Sequence, residues 1–223
     1  MYLSRNQKAF AMTTCPLCYH REEFETLKGI DKKGYFYCPV CKLVFSFPEH
    51  LPGPEEEKSR YLTHNNGIED QGYVRFLNQV VEPAMDYLEA GMECLDFGCG
   101  PAPTLSILVE RQGLVCDNYD PLFFPDLPDK MYDAIFATEC FEHFYHPAKE
   151  LKTITSHLKK KGYLILMTQL WKGLDRFHLW HYTNDDTHVT FYHRETIDFI
   201  AEHFGFGKMQ LINNRIIILQ KTD

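Results

Sequence analysis

The sequence lacks any long hydrophobic run. No stretch of its 223 residues approaches the ~20 apolar residues a membrane-spanning helix needs, so no spanning segment is expected. The opening MYLSRNQKAFAMTTCPLC has no apolar centre of the kind a secretory signal carries, and a reducing cytoplasm is the expected compartment. Positive charge is also short. Lys and Arg number 23 against 31 Asp and Glu, a formal net charge of −8. Such a chain is repelled by a phosphate backbone, which argues against a nucleic-acid partner. Its local cation run, Lys159, Lys160 and Lys161 in HLKKKG, reads as the close of a helix, where cations complement the dipole. No internal repeat is present. The 44% hydrophobic and 24% charged content is that of a globular domain with an ordinary core.

Cysteine is not scarce. Four of the eight form two pairs, CPLC (Cys15, Cys18) and CPVC (Cys38, Cys41), separated by residues 19–37. Two residues between thiolates let one tight turn aim both sulfurs at one ion, and two such turns complete a tetrahedral site. The intervening YHREEFETLKGIDKKGYFY has room for a hairpin turning near Gly34. It has too few apolar residues to fold unaided, so a metal must supply much of its stability. Disulfides are disfavoured in a reducing compartment. Four thiolates leave no open position, so the expected ion is a structural zinc. Cys94, Cys99, Cys116 and Cys140 lie in apolar runs and read as small core or pocket-lining residues. Pro48, Pro52, Pro54 and an acidic run in FPEHLPGPEEEKSR mark a boundary near residue 55. The expected division is a zinc-ribbon-like module with its linker (1–55) and a main domain (56–223).

In the main domain, helical and strand patterns alternate. YVRFLNQVVEPAMDYLEAG has helical apolar spacing, with Pro83 as a candidate kink and Gly91 as its end. ECLDF reads as a strand, PTLSILVERQG as a helix, LVCDNYD and MYDAIFATE as strands. PAKELKTITSHLKKKG reads as a helix from Pro147 to Gly162, YLILMT as a buried strand and RETIDFIAEHFG as the last helix. This alternation predicts a parallel sheet covered on both faces, with a ligand at the carboxyl ends of its strands. At the end, FGKMQLI and RIIILQ flank Asn213 and Asn214, residues that tolerate the left-handed conformation of a two-residue turn. The last two strands should be antiparallel neighbours.

LDFGCGPAP (95–103) follows the first strand and has the shape of a phosphate-binding glycine loop without its third glycine. Together with YDAIFATECFEHFYHPAKEL and HLKKKGYLIL, in that order, it resembles the motifs of class I S-adenosylmethionine-dependent methyltransferases over residues 60–220. The resemblance implies a Rossmann-like, doubly wound α/β sheet ending in an antiparallel hairpin. A zinc-ribbon front end occurs in some branches, including certain ribosomal RNA guanine and deoxysugar methyltransferases. It implies S-adenosylmethionine as cofactor: Asp96 beside its ammonium, Gly98, Cys99 and Gly100 as the floor of its site, and Asp120 with the following Pro121 at its ribose. Asp120 can also be read as a turn aspartate. Ala102 stands where the family often has a third glycine, between Pro101 and Pro103. Only PLFFPDLPDKM separates Asp120 from the next strand, where the family usually has a further helix and strand. Leu122, Phe123 and Asp126 are open candidates for adenine contact.

Glu139, Glu142 and His143 in ECFEHF fall at the mouth of the family's fourth strand. Glu139 is assigned to the cofactor and His143 to general-base catalysis, with a structural role as its alternative. Tyr61, His64 and Asn65 in RYLTHNNGIEDQGY are either a lid over the cofactor, with Tyr61 and His64 touching it, or a polar connector. The aromatic-rich QLWKGLDRFHLWHYTNDDTHVTFYHRET, with Trp171 and Trp180, is expected to cover the acceptor. The leading expectation is methyl transfer to a small molecule. The alternatives are an RNA methyltransferase whose ribbon docks RNA, and a non-catalytic adaptor whose ribbon binds a protein partner.

Overall fold

The computed structural model describes residues 13–63 and 66–222. Its main sheet contains β4 (Glu93–Phe97), β5 (Val115–Tyr119), β6 (Tyr132–Thr138), β7 (Leu158–Met167), β9 (Phe206–Ile212) and β10 (Ile216–Lys221). Their spatial order is β5-β4-β6-β7-β10-β9. The first four strands pair in parallel, and β10 is antiparallel to both neighbours. The closing hairpin is therefore present, with both turn residues left-handed (Asn213 φ 51°, Asn214 φ 56°). No strand or helix occupies residues 121–131, and β5 is an edge strand.

The strand period of two sorts the core into two layers. Leu95, Phe97, Ile135, Ala137, Leu164, Leu166, Ile217 and Leu219 face one side. There they pack on α4 (Pro147–His157) and α5 (Arg194–His203). Cys94, Ala134, Phe136, Ile165, Met167, Ile216 and Ile218 face the other, onto α2 (Gln71–Ala84) and α3 (Thr104–Glu110). Each aliphatic side chain so buried contributes about 1.5–3 kcal/mol over leaving it exposed.

Three local expectations fail for identifiable reasons. Helix α4 stops at His157, and the lysine run opens β7 instead of closing the helix. Lys159 reaches Asp133 at 2.9 Å and Glu93 at 3.7 Å, while Lys130 reaches Glu93 at 3.0 Å and Asp117 at 2.8 Å. These carboxylates at the amino ends of the strands draw the lysine into the sheet. Helix α2 ends at Ala84, just past Pro83 and well before Gly91. The acidic run expected to be linker is helical, forming α1 (Pro54–Leu62), with Pro54 in the first turn and three glutamates beside the positive end of the dipole.

The N-terminal residues form β1 (Glu25–Lys28), β2 (Gly34–Tyr37) and β3 (Val44–Ser46), an antiparallel meander. A fourth strand, β8 (Thr190–Phe191), joins it from the segment after β7 and pairs with β3. The core is continuous across this junction: Leu17, Phe36, Leu43 and Phe45 share a cluster with Leu95 and Phe97 of the main sheet.

Candidate functional site

The glycine loop leaves β4 at the carboxyl edge of the sheet. Gly98 (φ +81°) and Gly100 (φ +66°) are left-handed, a conformation glycine adopts without steric cost. The two glycines are constrained differently. A Cβ on Gly98 would lie 2.7 Å from Cβ of Cys140, whereas one on Gly100 would meet nothing within 4 Å. Gly98 and Cys99 donate their N–H groups to the Tyr119 carbonyl, and Gly100 N–H donates to Asp120 Oδ2 at 3.0 Å. Asp120 Oδ1 accepts from Leu122 N–H (2.8 Å) and Phe123 N–H (3.2 Å). One buried carboxylate thus organises its own turn and tethers the glycine loop. Asp96 is 3% exposed, and burial, then the charge of Asp120, pushes its carboxyl up to about 8. Pro121 is exposed on the turn beyond Asp120.

A second cluster follows β6. Glu139 is left-handed (φ 48°), and its Oε1 is buried without a hydrogen bond, Arg215 Nε standing 3.9 Å away. Burial, then the charge of Glu142, pushes Glu139 up to about 8. Glu142 is fully buried, accepting from Thr168 Oγ1 at 2.8 Å and from the Tyr182 hydroxyl. His143 Nδ1–H donates to the Thr187 carbonyl at 2.9 Å, which leaves Nε2 as the acceptor nitrogen. Burial holds this imidazole down at about 4, so it is neutral at neutral pH.

The four paired cysteines converge. Cys15 Sγ and Cys41 Sγ are 3.5 Å apart, as are Cys18 Sγ and Cys38 Sγ, and none of the four is in a disulfide. All four sulfurs lie within 4.8 Å of one another. The two CxxC turns have the same backbone. In each, the residue after the second cysteine is left-handed (Tyr19 φ 61°, Lys42 φ 60°) and donates its N–H to the carbonyl of the first. The first cysteine donates in turn to the carbonyl one residue further on, His20 or Leu43.

Comparison with known families matches residues 69–211 to a methyltransferase domain. The chain belongs to that methyltransferase family. No curated protein sequence matches it. Among solved structures, it is similar to the 1,6-didemethyltoxoflavin-N1-methyltransferase of Burkholderia thailandensis, solved with 1,6-didemethyltoxoflavin and S-adenosylhomocysteine. That likeness has a TM-score of 0.57 at 14% identity and covers 85% of this chain and 99% of the other. It is also similar to a SAM-dependent methyltransferase from Archaeoglobus fulgidus (TM-score 0.50, 19% identity, 67% of this chain and 99% of the other). A third likeness is to a chain in the complex between the Haloferax volcanii Trm112 methyltransferase activator and a candidate methyltransferase. It has a TM-score of 0.53 at 13% identity, covering 75% of this chain and 98% of that one. At these identities the structural likeness concerns the fold.

In this methyltransferase, α1 lies beside the loop and cluster. The Tyr61 ring packs edge-on to His143 (5.2 Å between centroids), and its hydroxyl donates to Glu57 at 2.8 Å. Burial, then the charge of Glu57, raises the Tyr61 hydroxyl, with a further contribution from Asp120. Arg60 binds Asp185 at 2.7 Å, tying α1 to the segment after β7. His64 and Asn65 lie outside the described residues. Sequence reasoning missed Glu57 and Tyr73. Burial, then the charge of Asp96, raises the Tyr73 hydroxyl. The signal for Tyr73 was available: Asp70 two residues before Gly72 is an N-cap that fixes which residues open α2.

Part of the aromatic segment packs inside the fold. Phe177, Tyr182 and Phe191 are buried in a cluster with Tyr35 and Val44 of the N-terminal sheet. They pack the N-terminal sheet against the segment after β7. A cleft of about 630 Å³ remains beside Trp171, Trp180, Lys172, Arg176 and Arg215, under the turn between β9 and β10.

Proposed function

We propose that this methyltransferase moves the methyl group of S-adenosylmethionine to a small-molecule acceptor. The observation that carries the reading is the left-handed loop 98–100 at the carboxyl end of β4, open on the Gly100 side and tethered to Asp120. When bound, the cofactor supplies an electrophilic methyl group on a sulfonium. Gly98, Cys99 and Gly100 form its floor, and Asp96 faces its ammonium group. Asp120 has three backbone donors already, so it holds the loop in shape and offers the ribose its remaining lone-pair capacity. Pro121 stiffens that turn, and Glu139 and Tyr61 close the side toward the acceptor. His143 is neutral, as a proton acceptor must be, but the burial that keeps it neutral also makes it a weak base. We therefore read it as a contact to the acceptor. Trp171 and Trp180 beside three cations suit a planar acceptor bearing negative charge.

The cysteine cluster fits structural zinc. Its donors are four thiols in two matching turns, three of them wholly buried, and no fifth group approaches among the described residues. Held by Cys15, Cys18, Cys38 and Cys41, such an ion fixes the module 1–55 against the main domain 56–223. The experiment is calorimetric binding of S-adenosylhomocysteine, followed by methyl-transfer assays against anionic aromatic metabolites and RNA. Binding with turnover on a metabolite supports the reading. Turnover on RNA alone, or binding with no turnover on either class, replaces it with the nucleic-acid or adaptor function.

A further inference from the structure

From the side chains of Glu142, His143 and His188, we propose a second metal site, one that takes a divalent first-row cation. One ligand-capable atom from each of the three lies within 4.8 Å of the other two. This trio is separate from the cysteine cluster and differs in chemistry, offering two imidazoles and a carboxylate. Each imidazole is already oriented as a metal ligand is: His143 Nδ1 donates to the Thr187 carbonyl at 2.9 Å and His188 Nδ1 to the Tyr182 carbonyl at 2.7 Å. That fixes the tautomer and leaves both Nε2 lone pairs unspent, the outer-shell arrangement usual around ligating histidines. Glu142 is likewise held, by Thr168 and Tyr182, with one hydrogen bond to each carboxylate oxygen and a lone pair remaining on each.

The backbone brings the three together independently of any ion. Val189 N–H donates to the Glu142 carbonyl at 2.8 Å, and Thr190 Oγ1 donates to the Phe141 carbonyl at 3.0 Å. Residues 187–190 therefore run alongside 141–143, and His188 is delivered beside His143, with ring centroids 4.9 Å apart. Glu142 is wholly buried and has no Lys or Arg partner among the described residues. Buried charges are normally paired or bound to metal, and a cation between these three groups supplies the missing partner. Three protein ligands leave coordination positions open to water or to an oxygen of a small molecule.

The test uses the 223-residue chain loaded with one equivalent of zinc, which thiolates take in preference to N and O donors. Manganous ion is then titrated, and the free ion is followed by its electron paramagnetic resonance signal. The expected result is one further equivalent bound, with imidazole nitrogen coupling in the pulsed spectrum. His188→Ala and Glu142→Gln should each weaken that binding at least tenfold, with folding checked by circular dichroism. No binding up to about millimolar ion overturns the proposal. So does bound ion without nitrogen coupling, or affinity unchanged in both variants. The wild-type spectrum decides the matter even if a variant fails to fold, and none of these readouts depends on methyl transfer.

Discussion

The cysteine turns and the glycine loop use the same backbone device for opposite ends. Each bends the chain through a left-handed residue and fixes the bend with N–H donors. In the cysteine turns that residue is Tyr19 or Lys42, held by a carbonyl of its own turn, and the side chains point inward to a closed set of four sulfurs. In the glycine loop the left-handed residues are glycines, tied to the neighbouring strand through Tyr119 and Asp120, with open space above Gly100. One turn closes on itself and the other is held open by its neighbour. A structural site needs its ligands satisfied within the fold, whereas a cofactor site needs its backbone fixed while a surface stays free.

The largest break should come at the closed site. Cys38→Ser removes one ligand of the proposed zinc and chelation would remove the ion itself; either should free Leu17, Phe36, Leu43 and Phe45 from the shared core. We expect a fall in Tm on the order of 10–20 °C, equivalent to about 5 kcal/mol at this chain length. Amide protection should be lost across β1 to β3 and at β8. Metal analysis should find one zinc per chain in the wild type. Full thermal stability in a zinc-free protein would mean that packing alone holds the module.

The glycine loop should break in two distinguishable ways. Gly98→Ala puts a Cβ against Cys140 and demands a left-handed alanine, so stability and cofactor affinity should fall together. Gly100→Ala meets no protein atom, and its conformational cost is about 1–2 kcal/mol. It should lower cofactor affinity by a larger factor than that cost explains, because the methyl enters the open side. Calorimetry with S-adenosylhomocysteine beside thermal melts of both variants separates the two. Equal losses of affinity and stability at Gly100 would place the cofactor elsewhere.

These contrasts also show what could be read in the sequence. The sheet, the helices facing it and the cysteine quartet were legible because period, turn residues and ligand spacing are local. The final hairpin was legible for the same reason, since Asn213 and Asn214 state their turn. The union of β3 with β8 was not, because two residues carry no strand pattern and the pairing spans most of the chain. A second long-range contact hid the trio at Glu142, His143 and His188, since His188 is brought there by the bonds from Val189 and Thr190 to the carbonyls of Glu142 and Phe141. The packing of Phe177, Tyr182 and Phe191 on the N-terminal sheet was not legible, because a run of rings looks alike whether it faces a ligand or another sheet. The lysine run at 159–161 was misread because the partners of Lys159, Glu93 and Asp133, are distant in sequence.

A smaller effect is expected at Asp120. Its alanine variant leaves the N–H groups of Gly100, Leu122 and Phe123 without a carboxylate, and a charge-assisted bond of this kind is worth about 1.5–3 kcal/mol. Cofactor affinity should drop roughly 10- to 150-fold if one such bond's worth of loop order is lost. Asp120→Asn keeps a single carbonyl oxygen and can satisfy the turn or the loop but not both, so it should fall between. Unchanged affinity in both variants would show that the loop holds its shape without the tether.

The finest distinction concerns Asp96. In the free protein its carboxyl is pushed up to about 8 by burial, then by the charge of Asp120. A carboxyl raised in the folded state favours folding in its protonated form, and that contribution is present at low pH and lost as pH rises through about 8. At pH 7 the free protein therefore carries this proton on about nine chains in ten. If the ammonium group of the cofactor settles beside Asp96, its positive charge favours the carboxylate and the proton leaves on binding. Binding at pH 7 should release close to one proton, falling to about a tenth of a proton at pH 9, where the free carboxyl is already ionised. Tyr73, Cys99 and Cys116, which also face Asp96, are all raised by burial beyond their ordinary range and stay protonated throughout. Glu139 is the other carboxyl held near 8, so Glu139→Gln is the necessary control. The measurement is the binding enthalpy of S-adenosylhomocysteine in buffers of differing ionisation enthalpy, whose slope counts the protons released. The slope should vanish in Asp96→Asn and persist in Glu139→Gln. A slope that vanishes only in Glu139→Gln would move the ammonium from the glycine loop to the second cluster, and no slope at all would leave Asp96 as a buried support of the loop.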